Sequence, residues 1–417
     1  MKIFKFGGAS VKDADAVRNV AEVIKHHALD DLVIVVSAMG KTTNALEEVT
    51  WSWLDGRPTK AMVDTLEGVH QAILQAVAPQ DVAALDMLRG HFRALRGLLE
   101  QPASEGIDHH YDQVVSFGEL WSTVIVHAHL NAAGMASTWW DVRSVIRTDP
   151  RHRPARVDWQ ASATGAERML AQVPGTPVRV VTQGFIAGAE GGITTTLGRE
   201  GSDFSAAILA FLLDAECVTI WKDVAGMFNA DPKRFPNTVL LERISYREAI
   251  ELSYFGASVI HPRTLQPLQQ KGIPLFVRSF TDLRAKGSTI AADSDGDTLV
   301  PSFIVKPGQL LISITPRDLS FIVEENLSGI FQCFARHQVR IELMQNSAVA
   351  FSVAVDDTPR ARQLLEELRG EYEVLHNEHC ELITVRHYDE ATLAALLRGK
   401  EQLIEQRSRT TARFVVK

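Results

Sequence analysis

Apolar residues in the first third of the chain follow two alternating rhythms, short runs suited to strands and longer periodic stretches suited to helices. Residues 2–6 form a short apolar strand that breaks at Gly7-Gly8, and a helical pattern follows from Asp13 to about His27. Residues 32–37 are an apolar, β-branched run typical of a strand buried on both faces. Helical periodicity then predicts helices over 43–54, 60–77, 80–99 and 118–133, a strand over 178–186, a helix over 205–213 and a strand over 217–221. Such alternation predicts an α/β fold, a mainly parallel sheet with helices on both faces.

Polar, Gly-containing stretches at 284–288 and 292–297 interrupt this rhythm and suit a domain boundary. Beyond them the units shorten: strand 310–315, helix 327–337, strands 339–344 and 349–355, helix 359–369, strand 380–386. This β-α-β-β-α-β order is that of a ferredoxin-like α+β unit. A second copy begins, with a helix over 390–398 and strands over 403–406 and 412–416, but it is shortened. The expected division is 1–296 and 305–417.

A length of 417 residues fits two or three domains, and 46% hydrophobic content supplies them with cores. A net charge of −8 argues against a nucleic-acid surface. Three well-separated cysteines without a C-x-x-C suggest neither a disulfide framework nor a zinc site, which suits a reducing compartment. With no apolar leader and no run long enough for a bilayer, the expectation is a cytoplasmic protein with no membrane or nucleic-acid partner.

The chemistry-bearing residues gather where strands give way to loops. Two glycines after the first strand let backbone N–H groups approach an anion, and Lys5 just before them suits a transferring phosphoryl group. Neither the G-x-x-x-x-G-K-[ST] nor the G-x-G-x-x-G pattern is present, and a structural turn is the plain alternative. Ser37 and Thr43 follow the second strand, at the strand end where open α/β sheets bind ligands, although a helix cap explains the threonines equally well. Glu119 opens a helix as a dipole complement or as a receiver of a substrate ammonium. In the loop of residues 197–206, Arg199 suits a carboxylate, Gly201 and Ser202 an anion at a helix start, and Asp203 either orients the lysine or caps the helix. The loop holding Lys222, Asp223, Phe228 and Lys233 suits a nucleotide's base and phosphates, or is a loop of turn residues. His261 precedes a proline and is expected to be structural.

Together, the stretches 5–10, 116–119, 198–203, 223–226, 230–233 and 255–262 resemble those of the aspartate kinases in the amino-acid kinase superfamily, in family order over nearly the whole chain. The tail resembles the ACT amino-acid-sensing domains. The resemblance implies transfer of the γ-phosphoryl group of ATP to the β-carboxylate of L-aspartate, with Lys5 and Asp203 as the charged machinery and no metal held by the protein alone. It places Ser37, Thr43, Glu119, Arg199, Gly201 and Ser202 at aspartate. Lys5, Phe6, Gly7, Gly8, Lys222, Asp223, Phe228, Lys233, Ser258 and Val259 fall to the nucleotide. Mg²⁺ is expected to ride mainly on the ATP phosphates. Ala9, Glu200, Phe228 and Ser258 depart from the usual Thr, Gly, Tyr and Lys. The resemblance further implies a lysine or threonine effector at the tail and a homo-oligomer, most simply a homodimer. With its last residue at Lys417, the chain is expected to carry no fused homoserine dehydrogenase. The alternatives are a sister phosphotransferase with another acceptor and a catalytically weak amino-acid sensor.

Overall fold

The structure, a computed structural model, describes residues 1–417 except 28, 29, 176, 258 and 319. It divides into two compact units: residues 1–227, 240–250 and 259–296, and residues 228–239, 251–258 and 297–417.

The first unit is built on a sheet of eight strands among the described residues: β1 (Lys2–Phe6), β2 (Leu32–Val36), β3 (Thr138–Trp140), β4 (Arg179–Gln183), β5 (Cys217–Lys222), β6 (Arg243–Ser245), β7 (Leu275–Ser279) and β8 (Ser288–Ala291). Their order is β6-β8-β7-β5-β1-β2-β4-β3, and every pairing is parallel except β7 with β8. The opening strand therefore lies inside the sheet, with β2 and β5 beside it. All five residues of β2 are buried, as its unbroken apolar run requires.

Helices α1 (Ala14–His27), α2 (Thr42–Leu54), α3 (Lys60–Val77), α4 (Val82–Leu99), α5 (Ile107–Val115), α6 (Phe117–Ala132), α7 (Trp159–Gln172), α8 (Gly201–Leu212), α9 (Tyr246–Phe255) and α10 (Pro262–Lys271) follow in chain order. Phe4, Phe6 and Trp221 share one core with apolar residues of α1, α3, α4 and α6. Side chains alternate along a strand, so Lys5 faces the other side of the sheet, where α8 packs on β1. Short strands Arg147–Thr148, Val157–Asp158, Ile186–Gly188 and Thr194–Thr196 form a separate small sheet. The expected strand over 178–186 is thus two strands in two sheets, divided at Gly184 and Phe185. At Gly184 a Cβ would stand 2.5 Å from that of Ser202, so the break lets α8 approach.

In the second unit, β9 (Ser302–Pro316), α11 (Glu324–Arg336), β10 (Ile341–Asn346), β11 (Phe351–Asp356), α12 (Pro359–Glu371), β12 (Tyr372–Arg386), α13 (Glu390–Leu397), β13 (Gln402–Arg407) and β14 (Thr411–Val416) follow in order. The strands make one antiparallel sheet, β10-β11-β9-β12-β14-β13. The long strands β9 and β12 run through both ferredoxin-like halves. One end of β9 joins the core under α11 and α12, whereas Phe303 and Val305 join the core under α13. The shortened second half thus borrows its first strand from residues that precede the first half. Among the described residues, no helix is long and apolar enough to cross a membrane.

Candidate active site

Strand β1 delivers Lys5 to a cleft of about 800 Å³ lined by the ends of β1 and β2 and the starts of α2, α6 and α8. Lys5 is 8% exposed, and its Nζ forms an ion pair with Asp203 Oδ1 at 2.6 Å. Lys222, at the end of β5, stands 3.5 Å from Asp203 Oδ2 and also donates to the Val259 carbonyl. Burial by itself raises the Asp203 pKa. The charges of Lys5 and Lys222 outweigh it and hold the carboxyl below its ordinary value. Two cations converge on one buried carboxylate, so the group is a preorganised positive centre at the strand end.

Gly8 is required by close approach. A Cβ there would meet the carbonyl oxygens of Ala38 and Gly40 at 2.9 Å, and Gly40 N–H donates to the Gly8 carbonyl at 3.0 Å. Gly8 opens a 3-10 turn, Gly8–Val11, ahead of α1. Gly7 carries no such demand, since a Cβ there would meet only Lys5 Nζ at 3.4 Å. The Phe6 ring is turned away from the cleft and lies fully buried, stacked on Trp221 with centroids 6.3 Å apart. With the ring committed to the core, only the backbone of Phe6 is available to a ligand, as the alternation of β1 requires.

Glu119 enters from the first turn of α6 and is 3% exposed. Its Oε1 accepts the Ala38 N–H at 3.1 Å, and its buried Oε2 has no partner. Burial pushes its pKa up to about 8, against the smaller lowering by the Ala38 N–H and by Lys5. A buried carboxyl oxygen without a partner carries a desolvation cost that a hydrogen-bond donor or a cation would relieve. Ser37 and Thr43 line the same cleft.

Helix α8 begins at Gly201, four residues before the expected start at 205, so Ser202 and Asp203 occupy its first turn and not a loop. Gly201 is held close: a Cβ would meet Phe185 Cδ2 at 2.8 Å. Glu200 before it adopts a left-handed conformation, φ 52°, which glycine would take freely. Arg199 lies exposed on the cleft wall.

Asp223 is exposed after β5 and is not part of the cleft lining. Phe228 and Lys233 belong to the second unit. Ser258 lies outside the described residues, and Val259 meets the cleft group through its carbonyl on Lys222. His261 accepts the Arg263 N–H at 3.2 Å and caps α10, in keeping with its structural reading, while also lining the cleft.

The sequence reading missed Tyr111, Arg153, Thr196 and Arg263, which also line the cleft. The Arg153 guanidinium stacks 3.7 Å above the Tyr111 ring, and Tyr111 Oη donates to Glu47 at 2.6 Å. Buried Asp112 accepts from Thr196 N and Oγ1, at 3.0 and 2.7 Å, and stands 2.7 Å from His152 Nδ1, tying α5 to the cleft's far wall. These residues come from distant segments without a shared motif, so only the fold brings them together.

The model of the Amino acid kinase family matches residues 1–279. Lysine-sensitive aspartokinase 3 of Escherichia coli is 33% identical over 357 residues, 85% of this chain and 78% of that protein. The bifunctional chloroplastic aspartokinase/homoserine dehydrogenase of Daucus carota is 30% identical, over 91% of this chain but only 44% of its own length. The structure of E. coli aspartokinase III in complex with aspartate and ADP superposes with a TM-score of 0.82 at 28% identity, covering 100% of this chain and 96% of that one. The same enzyme in complex with lysine and aspartate gives 0.84 at 29% identity, with the same coverage.

Proposed function

This chain belongs to the amino acid kinase family, among its aspartokinases, and we propose that it transfers the γ-phosphoryl group of ATP to the β-carboxylate of L-aspartate. A β-carboxylate oxygen attacks the γ-phosphorus, the bond to the β,γ-bridging oxygen breaks, and 4-phospho-L-aspartate and ADP leave. This is the first step toward lysine, threonine and methionine. The observation that carries the reading is the pairing, in one cleft, of a Lys5–Asp203–Lys222 cation centre with the unpartnered buried oxygen of Glu119.

Lys5 neutralises charge on the phosphoryl group in flight, and Asp203 holds Lys5 and Lys222 in place for it. The tight turn at Gly8 brings backbone N–H groups to the phosphates, with Gly7 and the Phe6 backbone beside it. Glu119 takes the aspartate ammonium, Arg199 its α-carboxylate, and Ser37, Thr43, Gly201 and Ser202 the remaining polar edge. Phosphoryl transfer of this kind rests on positioning and charge neutralisation, so no nucleophile–base pair is required. Both oxygens of Asp203 already face lysines, so the donors present suit Mg²⁺ carried on ATP phosphates, where it neutralises phosphate charge, and not a protein cage. Asp223, Phe228, Lys233, Ser258 and Val259 are assigned to the nucleotide on family resemblance. Residues 1–296 form the catalytic domain in this reading, and residues 305–417 a regulatory and dimerising region that takes a lysine or threonine effector. The protein works in the cytoplasm as a homo-oligomer.

Hydroxamate formation from L-aspartate, MgATP and hydroxylamine tests the reading. Turnover with aspartate is expected, and Lys5→Ala is expected to lose at least ~10²-fold in rate, as removal of a charge-stabilising donor does elsewhere. Turnover with another acid but not aspartate would move the chain to a sister activity. Titration with lysine and threonine in the same assay tests the effector.

A further inference from the structure

The second unit gathers three donor side chains that the phosphotransfer chemistry does not use. Cys333 lies in the last turn of α11 and His337 follows it by one helical turn, so the two side chains share the face that meets α12. Glu367 on α12 joins them, and the thiol sulfur, the imidazole nitrogen and a carboxylate oxygen all lie within 4.8 Å of one another. His337 Nε2 is 2.5 Å from Glu367 Oε2, and the Arg336 guanidinium pairs with the other oxygen, Oε1. Glu367 thus meets His337 through one carboxylate oxygen and the Arg336 guanidinium through the other, and that guanidinium also faces the Cys333 sulfur. Partners of this outer kind orient the ligands of metal sites.

We propose that Cys333, His337 and Glu367 form a binding site for a divalent transition-metal ion of zinc's class, linking α11 to α12. One sulfur, one nitrogen and one oxygen make the mixed donor set such ions take, whereas Mg²⁺ and Ca²⁺ prefer oxygen alone. Bonds of roughly 2.0–2.3 Å in a tetrahedron set donors about 3.3–3.8 Å apart, so the His337–Glu367 contact opens by about 1 Å on loading. The Glu367 side chain is 43% exposed and has room for that movement, and solvent supplies the fourth ligand. Capture of one ion forms a metal–thiolate bond and releases the thiol proton to solvent.

The test uses the tag-free full chain, without nucleotide, titrated with Co²⁺. One equivalent is expected to bind with a near-ultraviolet thiolate-to-cobalt charge-transfer band, which Zn²⁺ then displaces. Cys333→Ser is expected to abolish the band and His337→Gln to weaken binding at least tenfold, with unchanged circular dichroism in both. Zn²⁺ is expected to raise the melting temperature of the wild type and not of His337→Gln. Cys217 and Cys380 remain in both variants. A band that survives Cys333→Ser, or no band at millimolar cobalt, would overturn the proposal. None of these readouts depends on kinase activity, so the two readings fail separately.

Discussion

Asp203 and Glu119 occupy matching positions, each in the first turn of a helix that starts at the cleft and each almost wholly buried, at 2% and 3% exposure. Both helix dipoles favour a carboxylate to a similar degree, so the dipole does not separate them. Their surroundings do. Asp203 has two lysine ammonium groups within 3.5 Å, and its pKa falls. Glu119 has one backbone N–H and an unpartnered oxygen, and burial pushes it to about 8. Burial sets the cost of a charge, and the partners decide whether the protein or its ligand meets that cost. Asp203 is neutralised internally by Lys5 and Lys222 and, in the proposed reading, belongs to the fixed machinery. Glu119 leaves one oxygen unpartnered, which the proposed reading gives to the substrate ammonium.

The harshest way to break this comparison is to remove the neutralised partner. Asp203→Ala leaves the ammonium groups of Lys5 and Lys222 without their buried counter-ion, and breaking a buried pair in this way costs ~3–5 kcal/mol. That loss is expected in the free energy of unfolding by urea, together with a collapse of activity. A change below about 1 kcal/mol would mean that water already screens the pair, as at exposed ion pairs. Glu119→Gln probes the other side. The amide oxygen still accepts the Ala38 N–H, so stability is expected to hold below pH 8, where the buried carboxyl is already largely protonated, and to exceed that of the wild type above it. The KM for aspartate is expected to rise ~10–100-fold, the loss of one hydrogen bond to a charged group. An unchanged KM would place the substrate ammonium elsewhere.

The contrast was partly written in the sequence. Lys5 with the Gly7-Gly8 turn, and Glu119, Arg199 and Asp203 within short polar loops, were legible because strand-to-helix turns carry local signals in neighbouring residues. The opposite states of the two carboxylates were not legible, since they depend on Lys222, Ala38 and the depth of the cleft. The early start of α8 was hidden because Ser202 and Asp203 read as loop residues, and Glu200 enters the helix without a side-chain cap. Arg153, Tyr111 and Thr196 had no signal at all, being joined only by folding. In the second unit, residues 302–306 serve a half of the sheet whose other strands come from residues 382–386, 402–407 and 411–416. Local patterning is blind to such long-range pairing. That the Phe6 ring turns away from Lys5 was legible too, because neighbours on a strand cannot share a face.

The finest discrimination between the two carboxylates comes from pH, where they carry opposite signs. Asp203, with its pKa lowered, contributes stability that is present above the unfolded value of 3.8 and is lost as pH falls through its folded value. Glu119 has a folded value of about 8 against 4.5 in the reference state, so across that window the native protein keeps a proton that the unfolded chain has released. Its contribution to stability therefore falls as pH rises, by up to ~1.4 kcal/mol per unit. Buried His70 and half-buried His91, the latter lowered to about 4, act in the other direction, but only below their unfolded value of 6.5. Between pH 6.5 and 8 the Glu119 slope stands clear of them, and it is expected to vanish in Glu119→Gln. An aspartate ammonium favours the ionised carboxylate, so binding below pH 8 expels the proton, and the wild-type KM for aspartate is expected to fall as pH rises, by at most about tenfold per unit. A wild-type KM that stays flat from pH 6 to 8 while Glu119→Gln still raises it would mean that Glu119 is already ionised in the free enzyme. Lys5 would then neutralise both carboxylates, and the division between machinery and receptor would dissolve.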